Sequence, residues 1–171
     1  MLRVTNFVAM LRAVNVSGTG KLPMAELKAM GEACGFANVR TFIASGNLLF
    51  DSDLPEAEVE RAIAPRVETY FGKPVPLFVR SGEEMATVAA ANPFADRPGN
   101  RVVAHFIGEA PTQAMIDAAT GIKDERIALG QRELYIAYGD DMGHSKLKLP
   151  MFAKGTARNM NSVAKMAALL A

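Results

Sequence analysis

One arrangement of apolar runs and turn residues occurs twice along the chain, and it constrains the fold more than any other feature. In each half, an apolar strand is followed by a helix that opens with proline and then by two short apolar runs around a glycine turn. The proline precedes the turn glycine by 23 residues in the first half (Pro23 and Gly46) and by 19 in the second (Pro111 and Gly130). This similar spacing predicts a degenerate internal duplication.

The first half carries the elements of a complete six-element unit. Residues 4–11 predict a buried strand, 23–35 a helix that ends at a glycine, and 40–50 a hairpin. Residues 55–71 predict a second helix, and 75–79 predict a strand that proline restricts to a sheet edge. The order β-α-β-β-α-β is that of the ferredoxin-like α/β plait.

The second half begins with a linker helix, since Ser81 and Glu84 have the spacing of a capping box. It then repeats the strand, the helix and the hairpin, lacks a clear final strand, and ends in a helix over 157–170. The predicted fold is α+β, with two tandem ferredoxin-like (α/β plait) subdomains, the second degenerate, and a C-terminal helix. The predicted divisions are a first subdomain at 1–80, a linker helix and loop at 81–100, and a second subdomain at 101–171.

Composition narrows the class of protein. The 171 residues include 19 basic and 18 acidic side chains, so no strong net field attracts nucleic acid or an anionic membrane. Cys34 is the single cysteine, which excludes an internal disulfide and favours a reducing compartment. No apolar run has the length of a membrane span, and the first residues do not have the pattern of a signal peptide. We expect a cytoplasmic globular protein that does not bind membranes.

The glycine-containing loop at residues 15–23 lies between the first strand and the first helix. Loop amides and a helix N-terminus attract anions, so this arrangement suggests a phosphate site that includes Lys21. The loop does not match a P-loop, because Asn15 stands where glycine is needed and Leu22 where a hydroxyl must hold magnesium. The alternative is a flexible connector without a ligand.

The C-terminal stretch 146–159 offers a second set of cations. Thr156 is predicted to cap the last helix, which places Arg158 inside its first turn. A cation at this end opposes the helix dipole by about 0.3–1 kcal/mol, and a bound anion between the cation and the exposed amides would relieve that cost. The alternative is that Arg158 turns outward to pair with a carboxylate of the other half.

Several isolated residues have weaker functional interpretations. Ser162 and Lys165 match the Ser-x-x-Lys pattern of acyl-enzymes, but the partner motifs are missing. His105 is predicted to be a core histidine, and Cys34 a small buried hydrophobe. The loop residues Asp140, Asp141 and His144 favour a solvated turn over a metal site.

Motifs at the first loop, the hairpin and the last helix, in this order along the chain, resemble those of a known family. The stretches 11–18 (LRAVNVSG), 24–27 (MAEL), 45–47 (SGN) and 156–162 (TARNMNS) are similar to motifs of the bacterial domain-of-unknown-function 1697 family. The chain has Ala13, Ser17, Ala44 and Met160 where that family usually shows glycine, glycine, glutamine and tryptophan. The resemblance covers almost the whole chain and implies two α/β-plait subdomains, without an established activity.

The leading functional hypothesis is a non-catalytic binding or regulatory protein that takes a phosphorylated small molecule or a nucleic-acid backbone. One alternative is a hydrolase of phosphate-ester or acyl substrates that uses Ser45 or Ser162. A second alternative is a homo-oligomeric protein, such as a homodimer, that docks through the proline-bearing edge strand. We expect no cofactor and no metal. The candidate ligand-binding residues are Arg12, Asn15, Lys21, Ser45, Asn47, Lys148, Lys154, Arg158 and Asn159.

Overall fold

The computed structural model describes residues 3–12, 14 and 21–171. The chain is a mixed α+β protein with two four-stranded antiparallel sheets. It divides into two compact units, the first made of Met1–Met85 with Met166–Ala171 and the second of Ala86–Lys165. The predicted divisions at 1–80, 81–100 and 101–171 differ from these units, which separate at residue 85 and return Met166–Ala171 to the first unit.

The first unit has the element order that the periodicity predicts. The elements are β1 (Thr5–Leu11), α1 (Met24–Ala33), β2 (Ala37–Thr41), β3 (Asn47–Ser52), α2 (Glu56–Phe71) and β4 (Leu77–Ser81). The sheet has the strand order β2-β3-β1-β4, in which β4 lies at an edge, as the prolines just before it predict.

Alternate residues of the first sheet pack against α1 and α2. Ala9 on β1 and Phe50 on β3 are buried in one cluster with Leu27 of α1 and Ile63 of α2. Each large side chain removed from water in this way contributes about 1.5–3 kcal/mol. This packing fixes α1 over the sheet and therefore fixes where its N-terminus lies.

A third helix, α3 (Gly82–Ala90), follows β4 directly. The predicted capping box is confirmed, because the Glu84 amide donates to Ser81 Oγ at 3.1 Å and the Ser81 amide donates to Glu84 Oε1 at 3.3 Å. These reciprocal bonds lie where β4 ends, at Ser81, and where α3 begins, at Gly82.

The second unit repeats the strand order as β6-β7-β5-β8. The prediction that this half lacks a final strand is wrong, since residues 156–159 pair with β5. Three short 3-10 helices, Gly99–Arg101, Met142–His144 and Pro150–Lys154, complete the unit. The main elements are β5 (Val102–Phe106), α4 (Gln113–Asp117), β6 (Arg126–Leu129), β7 (Glu133–Ala137), β8 (Thr156–Asn159) and α5 (Met160–Leu169).

Within the described ranges, no helix is both long and apolar enough to cross a membrane.

Candidate functional site

Arg12 lies where β1 leaves the first sheet. The Leu11 amide donates to the Gly46 carbonyl at 2.8 Å, and the Arg12 amide donates to the Pro76 carbonyl at 2.9 Å. These two bonds hold the end of β1 between the start of β3 and the chain that enters β4. Arg12 is therefore fixed at its backbone, and the residue is half-buried.

The Ser45–Gly46–Asn47 turn packs against the same end of β1. Gly46 has φ +88°, and a Cβ there would lie 2.5 Å from Val14 Cγ2 and 3.1 Å from Leu11 Cβ. Glycine is therefore required both by the backbone conformation and by the contact. The turn is positioned by its close approach to β1.

Asn47 and Ser45, two of the predicted ligand-binding residues, stabilise this turn. The Asn47 side chain is fully buried, and its Nδ2 donates to the Phe42 carbonyl at 2.9 Å and to Ser45 Oγ at 3.2 Å. The contact of Asn47 with a ligand stays a prediction. The physical role of the Asn47 side chain is to satisfy the turn.

Lys21 is exposed and precedes α1. Pro23 is the N-cap residue of this helix and has no side-chain acceptor; its carbonyl accepts the amides of Glu26 and Leu27. The helix thus begins without a side-chain cap from its N-cap residue, beside a lysine. Its terminal amides and dipole attract negative charge. Another predicted residue of this region, Asn15, lies outside the described residues.

The predicted start of the last helix is wrong. Thr156 does not cap it, and Arg158 does not lie in its first turn, because both belong to β8, opposite Phe106 and Ala104 of β5. Asn159 caps α5 instead, with Oδ1 accepting the Ser162 amide at 2.9 Å. Because residues 156–159 pair with β5, α5 begins only at Met160.

Arg158 is a buried side chain, neither an exposed ligand group nor an outward-facing one. It is 6% exposed, and its Nη1 donates to Thr156 Oγ1 at 2.7 Å and to the Ala157 carbonyl at 3.0 Å. Burial lowers the pKa of this guanidinium to about 10. The electrostatic conflict expected for a cation in the first turn of a helix does not arise here.

The remaining cations of the C-terminal stretch are exposed. Lys148 forms a backbone bridge to Thr120, with N–O distances of 2.9 and 3.0 Å, while Leu147 and Leu149 on either side are buried. Lys154 ends a 3-10 helix and is also exposed. The segment in which lysine and leucine alternate therefore forms an isolated β-bridge and is not part of a named strand. The role of both lysines in ligand binding stays a prediction.

Two other residues have the structural roles expected of them. His105 is 4% exposed, and its Nε2 lies 2.8 Å from the Met151 carbonyl, so it is a core histidine. Cys34 Sγ donates to the Ala62 carbonyl at 3.3 Å, and burial raises the pKa of the thiol, against the opposing effect of Arg66. A raised pKa disfavours the reactive thiolate.

The other polar residues considered for metal binding or catalysis belong to the second unit. Asp140 pairs with Arg101, and Asp141 lies 2.6 Å from His144 Nδ1; both aspartates and the histidine are exposed. In the part of the chain that the structure describes, no three histidine, cysteine or carboxylate side chains gather as metal ligands. Ser162 is half-buried in α5 and its amide completes the helix cap.

Sequence reasoning missed one buried arginine, Arg80 on β4, which is 1% exposed. Its Nη1 donates to the Val79 carbonyl at 2.9 Å. The signal was a charged residue inside the apolar run Leu77–Ser81. Charged side chains are rarely buried unless they are paired, and here the hydrogen bond to the Val79 carbonyl helps to satisfy the guanidinium.

Comparison with known proteins places the chain in a family. The model of a family described as "Protein of unknown function (DUF1697)" matches residues 4–135, most of the chain. The chain belongs to the DUF1697 family. A comparison of this DUF1697 protein with curated proteins gives no match.

A solved structure, that of the conserved bacterial protein SP0830 from Streptococcus pneumoniae, is similar to this DUF1697 protein. The two share 24% sequence identity and a TM-score of 0.79, over 99% of this chain and 100% of SP0830. At this identity the similarity establishes the fold alone.

Proposed function

We propose that this DUF1697 protein is a non-catalytic binding protein for a phosphate-bearing ligand, a phosphorylated small molecule or a nucleic-acid backbone. The proposed site lies in the first unit, at the end of the sheet where β1 leads into α1. One observation carries the proposal: Arg12 and Lys21 both precede, in sequence, the start of a ten-residue helix whose N-cap residue is a proline.

The chemistry of these groups suits an anion. Backbone amides at a helix N-terminus point toward the ligand, and the helix dipole favours negative charge there. A guanidinium binds two oxygens of a phosphate at once, whereas a lysine ammonium acts as a point charge. Arg12 would therefore orient the ligand, and Lys21 would add attraction from an exposed position.

The contacts of the turn favour binding over nucleophilic catalysis. Ser45 Oγ accepts a hydrogen bond from the Asn47 amide group, which is not a base. This hydrogen bond indicates that the Ser45 hydroxyl stabilises the turn beside Arg12. Ser45 is kept as a candidate contact of the ligand, because it is only half-buried.

Isothermal titration calorimetry with inorganic phosphate, nucleoside monophosphates and short RNA tests the proposal. Arg12→Ala and Lys21→Ala should each weaken binding about 10- to 100-fold, the effect of losing a hydrogen bond to a charged group. Lys28→Ala is the matched control, since Lys28 is an exposed lysine further along α1. Absence of binding, or an equal effect of Lys28→Ala, would contradict the proposal.

We also propose that both units are ferredoxin-like plaits and that they arose by duplication. The two sheets share one strand order, and corresponding bonds join the end of β1 and of β5 to the turn of the hairpin beside it, Leu11 N to the Gly46 carbonyl and Ile107 N to the Arg132 carbonyl. The second unit has short 3-10 helices where the first has α2, so it is the degenerate copy.

Equivalent positions carry similar residues. The hydrogen-bond pattern aligns Asn47 with Glu133, and both are buried and bind their own turn; Glu133 accepts the amides of Gln131 and Arg132 at 3.0 Å. The same alignment equates Ser81 with Asn159, the residues that cap the helices after β4 and β8. These turn-binding and helix-capping side chains occupy equivalent positions in the two units, which supports a common origin.

The single cysteine supports a cytoplasmic location, where thiols stay reduced. Fractionation of cells that produce the protein tests this, and recovery from a membrane or secreted fraction would contradict it.

A further inference from the structure

A groove lies between α1 and α2 of the first unit and opens to solvent. Its volume is about 510 Å³, within the range of about 300–1,000 Å³ that small-molecule sites usually have. None of its lining residues belongs to the proposed anion site. The groove is lined by Met30 of α1 and by Ala62, Pro65, Arg66, Thr69 and Tyr70 of α2.

The floor of the groove is apolar and continues into the core of the first unit. Met30 and Ala62 are partly buried, and they pack against the cluster that contains Leu27 and Ile63. An apolar group that contacts this floor removes water from an apolar surface, which is the main driving force for binding such a group.

Two rings of α2 form the exposed side of the groove. Tyr70 is 42% exposed, and its ring meets that of Phe71 edge-on, with centroids 5.1 Å apart and an interplanar angle of 79°. Phe71 packs against the core, so this contact holds the Tyr70 ring in place. Pro65 lies inside α2 and adds a rigid ring without an N–H group. The exposed side of the groove is therefore mainly apolar as well.

Two hydrogen bonds fix the spacing of α1 and α2 beside the groove. Cys34 Sγ donates to the Ala62 carbonyl at 3.3 Å, and Arg66 Nη2 donates to the Ala33 carbonyl at 3.2 Å. Both bonds join the C-terminal end of α1 to α2. The groove is therefore formed before a ligand enters it, which lowers the cost of ordering on binding.

Arg66 supplies the positive charge of the lining. A guanidinium has five N–H donors, and the bond to the Ala33 carbonyl uses one of them. Arg66 takes part in none of the ion pairs that the described residues form with one another. Its side chain is exposed, so further N–H groups can donate to the two oxygens of a carboxylate.

We propose that this groove binds a small amphipathic carboxylate, such as a medium-chain fatty acid. The carboxylate accepts hydrogen bonds from Arg66, and the apolar chain lies over Met30 and Ala62 beside the Tyr70 ring. The site is separate from the proposed anion site at the start of α1, and the inference does not rest on it.

The charges of α2 favour a free small molecule over a membrane surface. The helix carries four glutamates and two arginines, so its net charge is negative. A helix that lies on an anionic membrane is instead rich in lysine and arginine on its polar face. One guanidinium beside an apolar groove matches a ligand with one carboxylate and one apolar chain.

Isothermal titration calorimetry of the full chain with octanoate and decanoate, both below their micelle concentrations, tests the proposal. Binding should tighten by about two- to fourfold for each added CH₂ group, because the chain is removed from water. Octanol, which lacks the carboxylate, should bind at least about tenfold more weakly than octanoate. Absence of decanoate binding, or equal binding of octanol and octanoate, would overturn the proposal.

Arginine variants of α2 test which charge is responsible. Arg66→Ala should weaken decanoate binding about 10- to 100-fold, the effect of losing hydrogen bonds between charged groups. Arg61→Ala is the matched control, since Arg61 is an exposed arginine of the same helix that pairs with Glu58 and does not line the groove. Arg12→Ala should also leave decanoate binding unchanged, which separates this site from the anion site. Thermal unfolding verifies that each variant is folded.

Backbone amide resonances locate the bound ligand. Decanoate should shift the amides of Met30, Ala62 and Tyr70, and these shifts should be lost in Arg66→Ala and kept in Arg61→Ala. Shifts confined to other parts of the chain, or equal effects of the two arginine variants, would overturn the proposed site.

Discussion

Replacing Gly46 by alanine should destabilise the protein far more than replacing another glycine of the same backbone conformation. Gly46 has φ +88°, where an L-residue costs about 1–2 kcal/mol. An added Cβ would also lie 2.5 Å from Val14 Cγ2 and 3.1 Å from Leu11 Cβ. Both neighbours are buried, so accommodating the methyl group costs a further 1–3 kcal/mol or so.

Gly35 is the matched control for this experiment. It has φ +83°, and a Cβ there would meet no atom within 4 Å. Gly35→Ala therefore carries only the backbone cost of about 1–2 kcal/mol, and Gly46→Ala a total of about 2–5 kcal/mol. The difference between the two variants isolates the contact of the turn with β1.

Urea unfolding followed by circular dichroism measures both variants. Gly46→Ala should lower the free energy of unfolding by about 1–3 kcal/mol more than Gly35→Ala, which is a melting temperature lower by roughly 2–12 °C. Equal free energies for the two variants would refute the close packing of the Ser45–Gly46–Asn47 turn against β1, and with it the positioning of Arg12.

Two further predictions concern the second unit. The amide of Lys123 and the hydroxyl of Ser145 hold the pKa of Glu125 below its ordinary 4.5, so its contribution to stability is full above about pH 4.5 and is lost as pH falls through the lowered value. Glu125→Gln should therefore reduce stability at pH 7 and flatten the loss on acidification, measured by urea unfolding from about pH 7 to 3; an unchanged slope would contradict this. Asn159→Ala removes the cap of α5 and should cost about 1 kcal/mol, whereas Asn159→Asp should not, in thermal unfolding.

The regular elements of the first unit could be predicted because each carries a local signal. Pro23 and Gly35 bound α1, and apolar residues at helical spacing lie between them. The Ser-Gly-Asn turn precedes the apolar run that becomes β3, whereas the run before the turn, 40–43, overlaps β2 only at Arg40 and Thr41. These features depend on near neighbours in sequence, so a single sequence reveals them.

The C-terminal region could not be predicted because long-range pairing decides it. Residues 156–159 (Thr-Ala-Arg-Asn) lack the apolar alternation of a strand, and they become β8 only through bonds to β5. Thr156 then resembles a helix cap in sequence, although Asn159 serves as the cap. Tertiary context overrides the local preference here, and it converts Arg158 from a predicted ligand contact into a buried side chain.

The candidate site was predictable in part. Arg12 and Lys21 are placed by a strand end and a helix start, both of which the sequence indicates. The structural role of Asn47 could not be predicted, because a polar residue in a turn has the same appearance in sequence whether it binds a ligand or satisfies the turn. The structure shows that its side chain is buried and bonds to the turn.

A phosphate titration followed through backbone amide resonances tests the central claim most directly. If an anion binds at the start of α1, the amides of Met24 and Ala25 should shift with phosphate concentration, and the shifts should shrink in Lys21→Ala and at high salt. The account is contradicted if those amides do not move, or if the shifts concentrate around β8 and the start of α5.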